Sequence, residues 1–280
     1  MVVLTNKKEG EIMLDKRVIS ALVALPLLFA VVIFNLNVFF VSLCIITVIG
    51  LYEYFTAVAS SNIKPMKNIG ILMGILTLIL IFNKNGFIIF VPFLTFVMLI
   101  LLSIPVFSKK YNFYGAGVTI IGILYIPLFF GFIYLIRAIP DKGLYLVWFV
   151  FIASWFTDTF AYFAGRAFGK TKLCPDISPK KTVEGAVGGT IGSIVGCVIY
   201  GVLIDKMTVV HIPVIHLFII GFVGAIISQI GDLAASSIKR NVGIKDYGKI
   251  MPGHGGVLDR FDSILFVAPI IYYYITYIIY

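Results

Sequence analysis

Long apolar runs recur along most of this chain and leave it few ways to fold in water. Nine of them are candidates for the ~20-residue helices that span a bilayer, although the third is short. They cover residues 18–34, 38–58, 69–82, 86–107, 116–137, 144–164, 186–204, 212–231 and 263–280. Because 60% of the residues are apolar and only 12% are charged, one water-soluble core could not bury them. The sequence therefore predicts an all-α polytopic membrane protein with about nine transmembrane helices.

The basic residues indicate which helix ends face the cytoplasm. When the loops alternate between the two sides, 18 of the 22 Lys and Arg residues fall on one side and 4 on the other. Cytoplasmic loops carry the excess of Lys and Arg in membrane proteins. We therefore expect a cytoplasmic N-terminus, and we interpret the net charge of +9 as topogenic rather than as a nucleic-acid-binding surface.

Two polar segments are much longer than the other loops, and both fall on the predicted cytoplasmic side. They are residues 165–185 and 232–262. We accordingly divide the chain into N-terminal transmembrane helices, residues 1–138, and a C-terminal catalytic region, residues 139–280, which contains both segments. The three cysteines show no paired spacing, so the sequence predicts neither a disulfide framework nor a zinc site.

Acidic residues are scarce, and Glu53, Asp158 and Asp232 lie inside or at the edge of apolar runs. An ionisable group at membrane depth costs at least ~2.5–3.5 kcal/mol, so it usually has a partner or a function. Ion pairing that supports helix packing is one alternative for each acid, and the ion pathway of a cation-coupled transporter is another. The gathering of polar residues in one-sided loops, without an inverted repeat, argues against the transporter.

Two further acids suggest a metal site at the start of the last apolar run. Asp259 and Asp262 are three residues apart, so they share one face of a helix. Such carboxylates repel each other unless a cation lies between them, and oxygen ligands without His or Cys neighbours favour Mg²⁺. Asp232, at the end of the preceding run, is a natural third ligand. The sequence therefore predicts Mg²⁺ held by Asp232, Asp259 and Asp262.

Cationic side chains and glycines surround these acids. The cations are Lys239, Arg240, Lys245, Lys249 and Arg260, and three glycines flank His254. A divalent ion ringed by cations suits a triphosphate, because phosphoryl transfer depends on positioning and charge neutralisation. The alternative is a topogenic loop with incidental acids, which leaves the Asp-x-x-Asp pair behind a Gly-rich turn unexplained.

The segment 165–185 supplies a second set of groups for phosphate. Residues 165–171 are one residue short of a P-loop and follow a membrane span rather than a strand, so we reject a Walker A site. Residues 178–182, Ser-Pro-Lys-Lys-Thr, combine hydroxyl and ammonium groups suited to phosphate oxygens. Thr182 can also cap the next helix, in which Gly185 and the glycines after it would permit close helix packing.

These motifs resemble those of a known family. The stretch 236–262, S-x-I-K-R-x4-K-D-x-G-x2-M-P-x-H-G-G-V-x-D-R-F-D, resembles the signature of the phosphatidate cytidylyltransferases, also called CDP-diacylglycerol synthases. The run 178–185 resembles the same family, as do the residues Asp158, Tyr162, Gly165, Arg166, Gly169 and Lys170. The matched blocks cover residues 155–262.

The resemblance implies a reaction: phosphatidate attacks the α-phosphate of CTP and gives CDP-diacylglycerol and pyrophosphate in phospholipid biosynthesis, with Mg²⁺. It also implies a homodimer in the bacterial cytoplasmic (inner) membrane and a second, monovalent cation such as K⁺. The predicted catalytic residues are Asp232, Lys239, Asp259 and Asp262. The predicted substrate-binding residues are Arg166, Lys170, Ser178, Lys180, Lys181, Thr182, Ser236, Arg240, Lys245, His254 and Arg260.

Two related enzyme classes are alternatives. A CDP-alcohol phosphotransferase has the pattern D-G-x2-A-R…G-x3-D-x3-D, which is absent from this sequence. A cytidylyltransferase acting on an archaeal or polyprenyl lipid remains open, because any apolar groove between helices would accept such tails. The choice between CTP and dCTP is open as well.

Overall fold

The computed structural model describes residues 22–83, 86–251, 253 and 255–280. They form ten α-helices and one β-hairpin. The helices are α1 (Leu22–Ile33), α2 (Leu36–Ala59), α3 (Lys67–Phe82), α4 (Gly86–Phe107), α5 (Phe113–Arg137), α6 (Gly143–Leu146), α7 (Trp148–Phe168), α8 (Val183–Met207), α9 (Val214–Asn241) and α10 (Leu258–Tyr274). The antiparallel strands β1 (Lys172–Cys174) and β2 (Ser178–Thr182) form the hairpin, and a π-helical turn, Ile275–Ile279, extends α10.

Seven helical segments in the described part of the chain are long and apolar enough to cross a membrane. They are α2, α4, α5, the continuous α6–α7 segment, α8, α9 and α10 with its π-helical extension. This confirms a multi-pass helical membrane protein but not nine spans. The first and third predicted runs correspond to α1 and α3, which are helical but shorter than 18 residues. The first run also begins outside the described residues, and the orientation of the N-terminus stays a prediction.

The outer surface of the bundle is apolar. On α4, Phe96 is 66% exposed and Phe107 is 88% exposed. Only 11% of the residues in the 18-residue apolar stretch of this helix are buried. Large contiguous apolar surfaces are rare on soluble monomers, so these faces fit contact with lipid. Inside, aromatic side chains such as Phe55, Phe130 and Phe149 are fully buried and fill the core between the helices.

Polar residues define where several helices begin. The side chains of Asn35 and Asn112 accept hydrogen bonds from backbone N–H groups in the first turns of α2 and α5. Thr182 Oγ1 accepts a hydrogen bond from the Gly185 N–H at 3.1 Å, which confirms the predicted cap of α8. Glycine allows α8 to pack closely on α7, as predicted: a methyl group on Gly188 or Gly192 would overlap side chains of α7.

Both long polar segments are more structured than the sequence indicates. The predicted loop 232–262 is wrong at both ends, because α9 continues to Asn241 and α10 begins at Leu258. The apolar run ends at Asp232, but the helix continues to Asn241. Its final turns are polar because they line a site rather than face lipid. The hairpin β1–β2 within 165–185 was not predicted.

Four helix ends meet at one end of the bundle. The C-terminal parts of α7 and α9 meet the N-termini of α8 and α10 there. Lys181 of the hairpin pairs with Asp232 of α9, and Ser263 of α10 donates a hydrogen bond to Asp158 of α7. The two long polar segments therefore lie on the same side of the protein, as the sequence predicts.

Candidate active site

A polar cavity of about 370 Å³ lies at this end of the bundle, between α7, α8, α9 and the hairpin. Its polar lining residues are Asp158, Tyr162, Arg166, Lys180, Lys181, Thr182, Gln229 and Asp232. Asp232 lies nine residues before the end of α9, which places it about 14 Å below that helix end. The cavity is therefore recessed into the bundle, and its cations come from the second predicted phosphate-binding segment.

One lysine–carboxylate pair faces this cavity. Lys181 Nζ lies 2.5 Å from Asp232 Oδ2, and Ser236 Oγ donates a hydrogen bond to Asp232 Oδ1 at 3.3 Å. The side chains of Lys181 and Asp232 are 26% and 28% exposed. Because both charges are open to the cavity, a bound anion or cation can exchange places with either partner.

A second lysine–carboxylate group is buried where α9 meets α10. Lys239 Nζ lies 2.8 Å from Asp259 Oδ1 and 3.8 Å from Asp262 Oδ2. The side chains of Lys239 and Asp259 are only 9% and 1% exposed. Such a pair is strongly coupled, because removing either partner leaves an uncompensated charge in the interior.

Asp259 and Asp262 differ in what remains free on each carboxylate. Asp259 Oδ2 accepts hydrogen bonds from the N–H groups of Tyr247 and Gly256, at 2.8 and 2.9 Å, so both of its oxygens are bound within the protein. Asp262 Oδ1 accepts a hydrogen bond from the Ser263 N–H at 2.9 Å, while its Oδ2 has only the more distant Lys239. Asp259 thus closes the loop after α9, and Asp262 is the more available of the two.

Asp158 and Asp232 both line the cavity, and Asp158 also accepts a hydrogen bond from Ser263, the neighbour of Asp262. These three carboxylates therefore lie near one another, and like charges in such positions repel. In the part of the chain that the structure describes, no three His, Cys, Asp or Glu side chains converge tightly enough to hold a metal by themselves. An ion here would therefore take further ligands from substrate or water. Mg²⁺ binds in that way, through one or two carboxylates with phosphate oxygens and waters, so the donor set fits it.

Glu53 of α2 has a defined structural task. Its carboxylate is 3% exposed and accepts hydrogen bonds from the N–H groups of Val257 and Leu258 at 3.0 and 2.9 Å. These donors begin α10 and have no partner within that helix, and the negative charge also suits the positive end of the helix dipole. A methyl group on Gly256 would lie 2.6 Å from both Glu53 oxygens, so glycine is what allows this close approach.

Tyr247 supports the same loop from the other side. Its hydroxyl donates a hydrogen bond to the Ala235 carbonyl at 3.3 Å, and its ring lies 5.3 Å from Lys239 Nζ. Burial raises the pKa of Tyr247 above its usual range, which keeps the hydroxyl neutral and able to donate. The sequence analysis missed this residue, as it missed Gln229 and Ser263. Gln229 lies three residues before Asp232, and helical spacing alone could have indicated it.

Several predicted substrate-binding residues lie away from the cavity walls. Lys170, Ser178 and Lys245 do not line it. The backbone N–H of Lys170 instead donates to Glu184 at 3.1 Å, and Arg240 donates to the Ile244 carbonyl at 2.8 Å, closing the end of α9. Arg260 is exposed and does not line the cavity. His254 lies outside the described residues.

Together these features define a multi-pass membrane protein with a charged, recessed cavity suited to phosphate groups. The chain belongs to the cytidylyltransferase family, whose sequence model matches residues 15–278. This match confirms the resemblance that the sequence motifs indicate, and it extends through the helices that precede those motifs.

Named relatives agree with this membership. A phosphatidate cytidylyltransferase of Staphylococcus saprophyticus is 43% identical over 173 residues, which are 61% of this chain and 64% of the relative. A phosphatidate cytidylyltransferase of Bacillus subtilis is 40% identical over 179 residues, which are 64% of this chain and 65% of the relative. The chain therefore spans just under two thirds of the length of these relatives.

Proposed function

We propose that this protein transfers the cytidylyl group of CTP to phosphatidate, giving CDP-diacylglycerol and pyrophosphate. One observation carries the proposal: a cationic cavity opens onto a group of mutually repelling carboxylates at one end of a membrane helix bundle. Cations alone would suit many anions, and carboxylates alone would suit many cations. The two together suit a metal-bound nucleoside triphosphate. The names of the relatives support the same reaction.

The triphosphate lies in the polar cavity. Arg166, Lys180 and Lys181 line that cavity and offset the negative charge of the phosphates. A volume of about 370 Å³ is within the range of small-molecule sites, which is roughly 300–1,000 Å³. Thr182 caps α8 at the cavity wall, which directs the positive end of a helix dipole toward the site.

Asp232 and Asp262 would hold Mg²⁺, with Asp158 beside them. Asp259, the third predicted ligand, serves mainly to hold Lys239 and the loop before α10. A bound ion would supply positive charge to offset the phosphates and the departing pyrophosphate. The three repelling carboxylates also favour the second, monovalent cation, such as K⁺, that the family resemblance implies.

The chemistry needs positioning more than proton transfer. An oxygen of the phosphatidate phosphate forms a bond to the α-phosphorus of CTP, and the bond from that phosphorus to the α–β bridging oxygen breaks. The nucleophile is already an ionised monoester, so no strong general base is required. The residues around the cavity hold two anions together, which supplies much of the rate enhancement.

We place the reaction at the cytoplasmic face of the cell (inner) membrane, in a homodimer. The acyl chains of phosphatidate stay in the bilayer while CTP arrives from water, so the site must open to both. Cys174 tests the orientation, because it lies on β1 beside the cavity. A membrane-impermeant thiol reagent should label it in inside-out vesicles and not in sealed right-side-out vesicles, and the reverse pattern contradicts the orientation.

The reaction itself is tested with purified protein in detergent, supplied with phosphatidate, Mg²⁺ and one labelled nucleotide at a time. We expect label from CTP to become lipid-soluble and label from ATP, GTP and UTP to stay in water. A parallel series compares CTP with dCTP, and phosphatidate with an archaeal-type lipid phosphate and a polyprenyl phosphate. No lipid-soluble label with any pair of substrates would contradict the proposal.

A further inference from the structure

A second cavity, about 350 Å³ in volume, lies between α5, α9 and α10 and shares no lining residue with the polar cavity. Its walls are formed by α5 and α9, and Phe266 of α10 forms its floor. The lining residues include Ile121, Tyr125, Leu128, Phe129, Ile238 and Phe266. All of them are apolar except for the hydroxyl of Tyr125. We refer to this cavity as the apolar groove.

The apolar groove is a built feature rather than a gap left between helices. The rings of Tyr125, Phe129 and Phe266 pack edge to face on one another, with centroids 5.6–5.8 Å apart. Aromatic contacts of this kind favour a fixed geometry and hold the floor in one shape. From Ile121 to Phe129 the groove follows α5 for about 12 Å, parallel to the bundle axis.

The groove is also next to the charged site. Ile238 precedes Lys239 on α9, and Phe266 lies one helical turn beyond Asp262 on α10. The same turns of these two helices therefore present charges on one side and apolar side chains on the other. The groove therefore comes within one residue of Lys239 on α9 and within one turn of Asp262 on α10.

Tyr125 is the groove residue that carries a polar group. Its ring lines the groove and packs edge to face on Phe266, which lies one turn beyond Asp262 on α10. The hydroxyl is buried and has no hydrogen-bond partner among the described residues. Buried polar groups nearly always have a hydrogen-bond partner, so an unpartnered buried hydroxyl beside a candidate site is available to a ligand.

We infer that one acyl chain of the lipid substrate lies in the apolar groove, with its head group held beside the Tyr125 hydroxyl. This rests on the proposed function and adds the place of the lipid to it. Nucleotide and lipid then approach the carboxylates by separate routes, one through the cationic cavity and the other through the groove. The Tyr125 hydroxyl donates a hydrogen bond to an oxygen of the head group.

Variants that fill the groove test this assignment in a steady-state assay. Leu128→Trp should raise the KM for long-chain phosphatidate about tenfold, which is typical when a side chain blocks an apolar subsite. The KM for CTP should not change, nor should that for a short-chain phosphatidate whose tails do not reach the groove. Ile199→Trp is the control, because Ile199 is an exposed apolar residue of α8 outside both cavities. Equal effects of both substitutions, or equal effects on both lipids, would overturn the inference.

Tyr125→Phe removes only the hydroxyl. We expect a severalfold higher KM for phosphatidate of any chain length, with an unchanged KM for CTP, because the lost hydrogen bond is to the head group. An unchanged KM for phosphatidate would contradict the hydrogen bond between the Tyr125 hydroxyl and the head group.

A measurement that needs no turnover separates this inference from the proposed reaction. Phosphatidate with a photoreactive group midway along one acyl chain is irradiated with the unmodified protein in nanodiscs. Mass spectrometry should find the label on peptides of α5 and α10 that contain Phe129 and Phe266. Excess phosphatidate should compete, and phosphatidylcholine should not. Label spread over α4 and α8 without competition would overturn the groove assignment, even if the protein transfers cytidylyl groups.

Discussion

The two lysine–carboxylate groups of the site look alike in sequence but differ in their surroundings. Lys181 and Asp232 face the polar cavity and are each about a quarter exposed, whereas Lys239 and Asp259 are almost completely buried. An exposed pair contributes little to stability and can release its partners to a ligand. A buried pair holds its geometry, because separating it costs several kcal/mol. The first group is therefore suited to bind substrates, and the second to hold the helix that carries Asp262.

The largest effect should come from breaking the buried group. Lys239→Met leaves Asp259 and Asp262 without their shared cation, so we expect a loss of about 3–5 kcal/mol in the free energy of unfolding. Lys181→Met should change it by less than about 1 kcal/mol. Chemical denaturation in a mild detergent measures both. Similar losses of unfolding free energy in the two variants would contradict the difference between the buried and the exposed lysine–carboxylate groups.

A nearly equal effect is expected when Asp262, next to the cavity, is replaced. This effect is on the rate of the reaction rather than on stability. If Asp262 holds the proposed Mg²⁺, Asp262→Asn removes a charged oxygen ligand with little change in volume. Metal stabilisation of a leaving group supplies several kcal/mol, so kcat should fall about 10²–10³-fold. The activity of the unmodified protein should vanish with EDTA and return with Mg²⁺.

Asp176→Asn is the matched control for this experiment, since Asp176 is an exposed acid in the turn of the hairpin. It should retain full activity. If Asp262→Asn folds and keeps near-full activity that resists EDTA, the metal assignment is wrong.

A smaller effect is expected for the exposed group. Lys181→Gln should reduce kcat/KM for CTP about tenfold, because one charge-assisted contact to phosphate is lost. The same substitution at Lys109, an exposed lysine of the loop before α5, should be nearly silent. Small and equal effects at both positions would indicate that the basic residues of the hairpin only set topology.

An effect of about the same size, on stability rather than on rate, concerns the cap of α10. Glu53→Gln leaves one carbonyl oxygen for two backbone donors and should cost about 1–2 kcal/mol of stability. Gly256→Ala should also destabilise the protein, because the methyl group would overlap the Glu53 carboxylate. Combining Gly256→Ala with the shorter Glu53→Asp should recover part of that loss. Strictly additive losses in the double variant would contradict direct contact between the two residues.

The sequence predicted those parts of the site that depend on local spacing. The Thr182 cap, the close packing of α7 and α8 through glycine, and the shared position of Asp259 and Asp262 all follow from residues within one or two turns of each other. Family membership followed from such local motifs as well. The number of spans was less secure, because hydropathy does not show whether a short apolar helix such as α3 crosses the bilayer.

The features that could not be predicted from the sequence depend on contacts between residues that are far apart in the chain. Glu53 is 205 positions from Leu258, and Asp158 is 105 positions from Ser263, so no local pattern links them. The different contacts of Asp259 and Asp262 could not be predicted for the same reason. It depends on the N–H groups of Tyr247 and Gly256, which reach Asp259 through the fold of the intervening loop.

The contact between Glu53 and the start of α10 limits where this protein can be joined to a relative in a chimera. The sequence suggests N-terminal transmembrane helices, residues 1–138, followed by a separate catalytic region, residues 139–280. Yet the carboxylate that fixes the first turn of α10 belongs to α2, and the apolar groove takes one of its walls from α5. A chimera joined near residue 138 must therefore bring a matching glutamate and a matching α5. The N-terminal helices therefore contribute to the proposed site as directly as the loops that carry its charges.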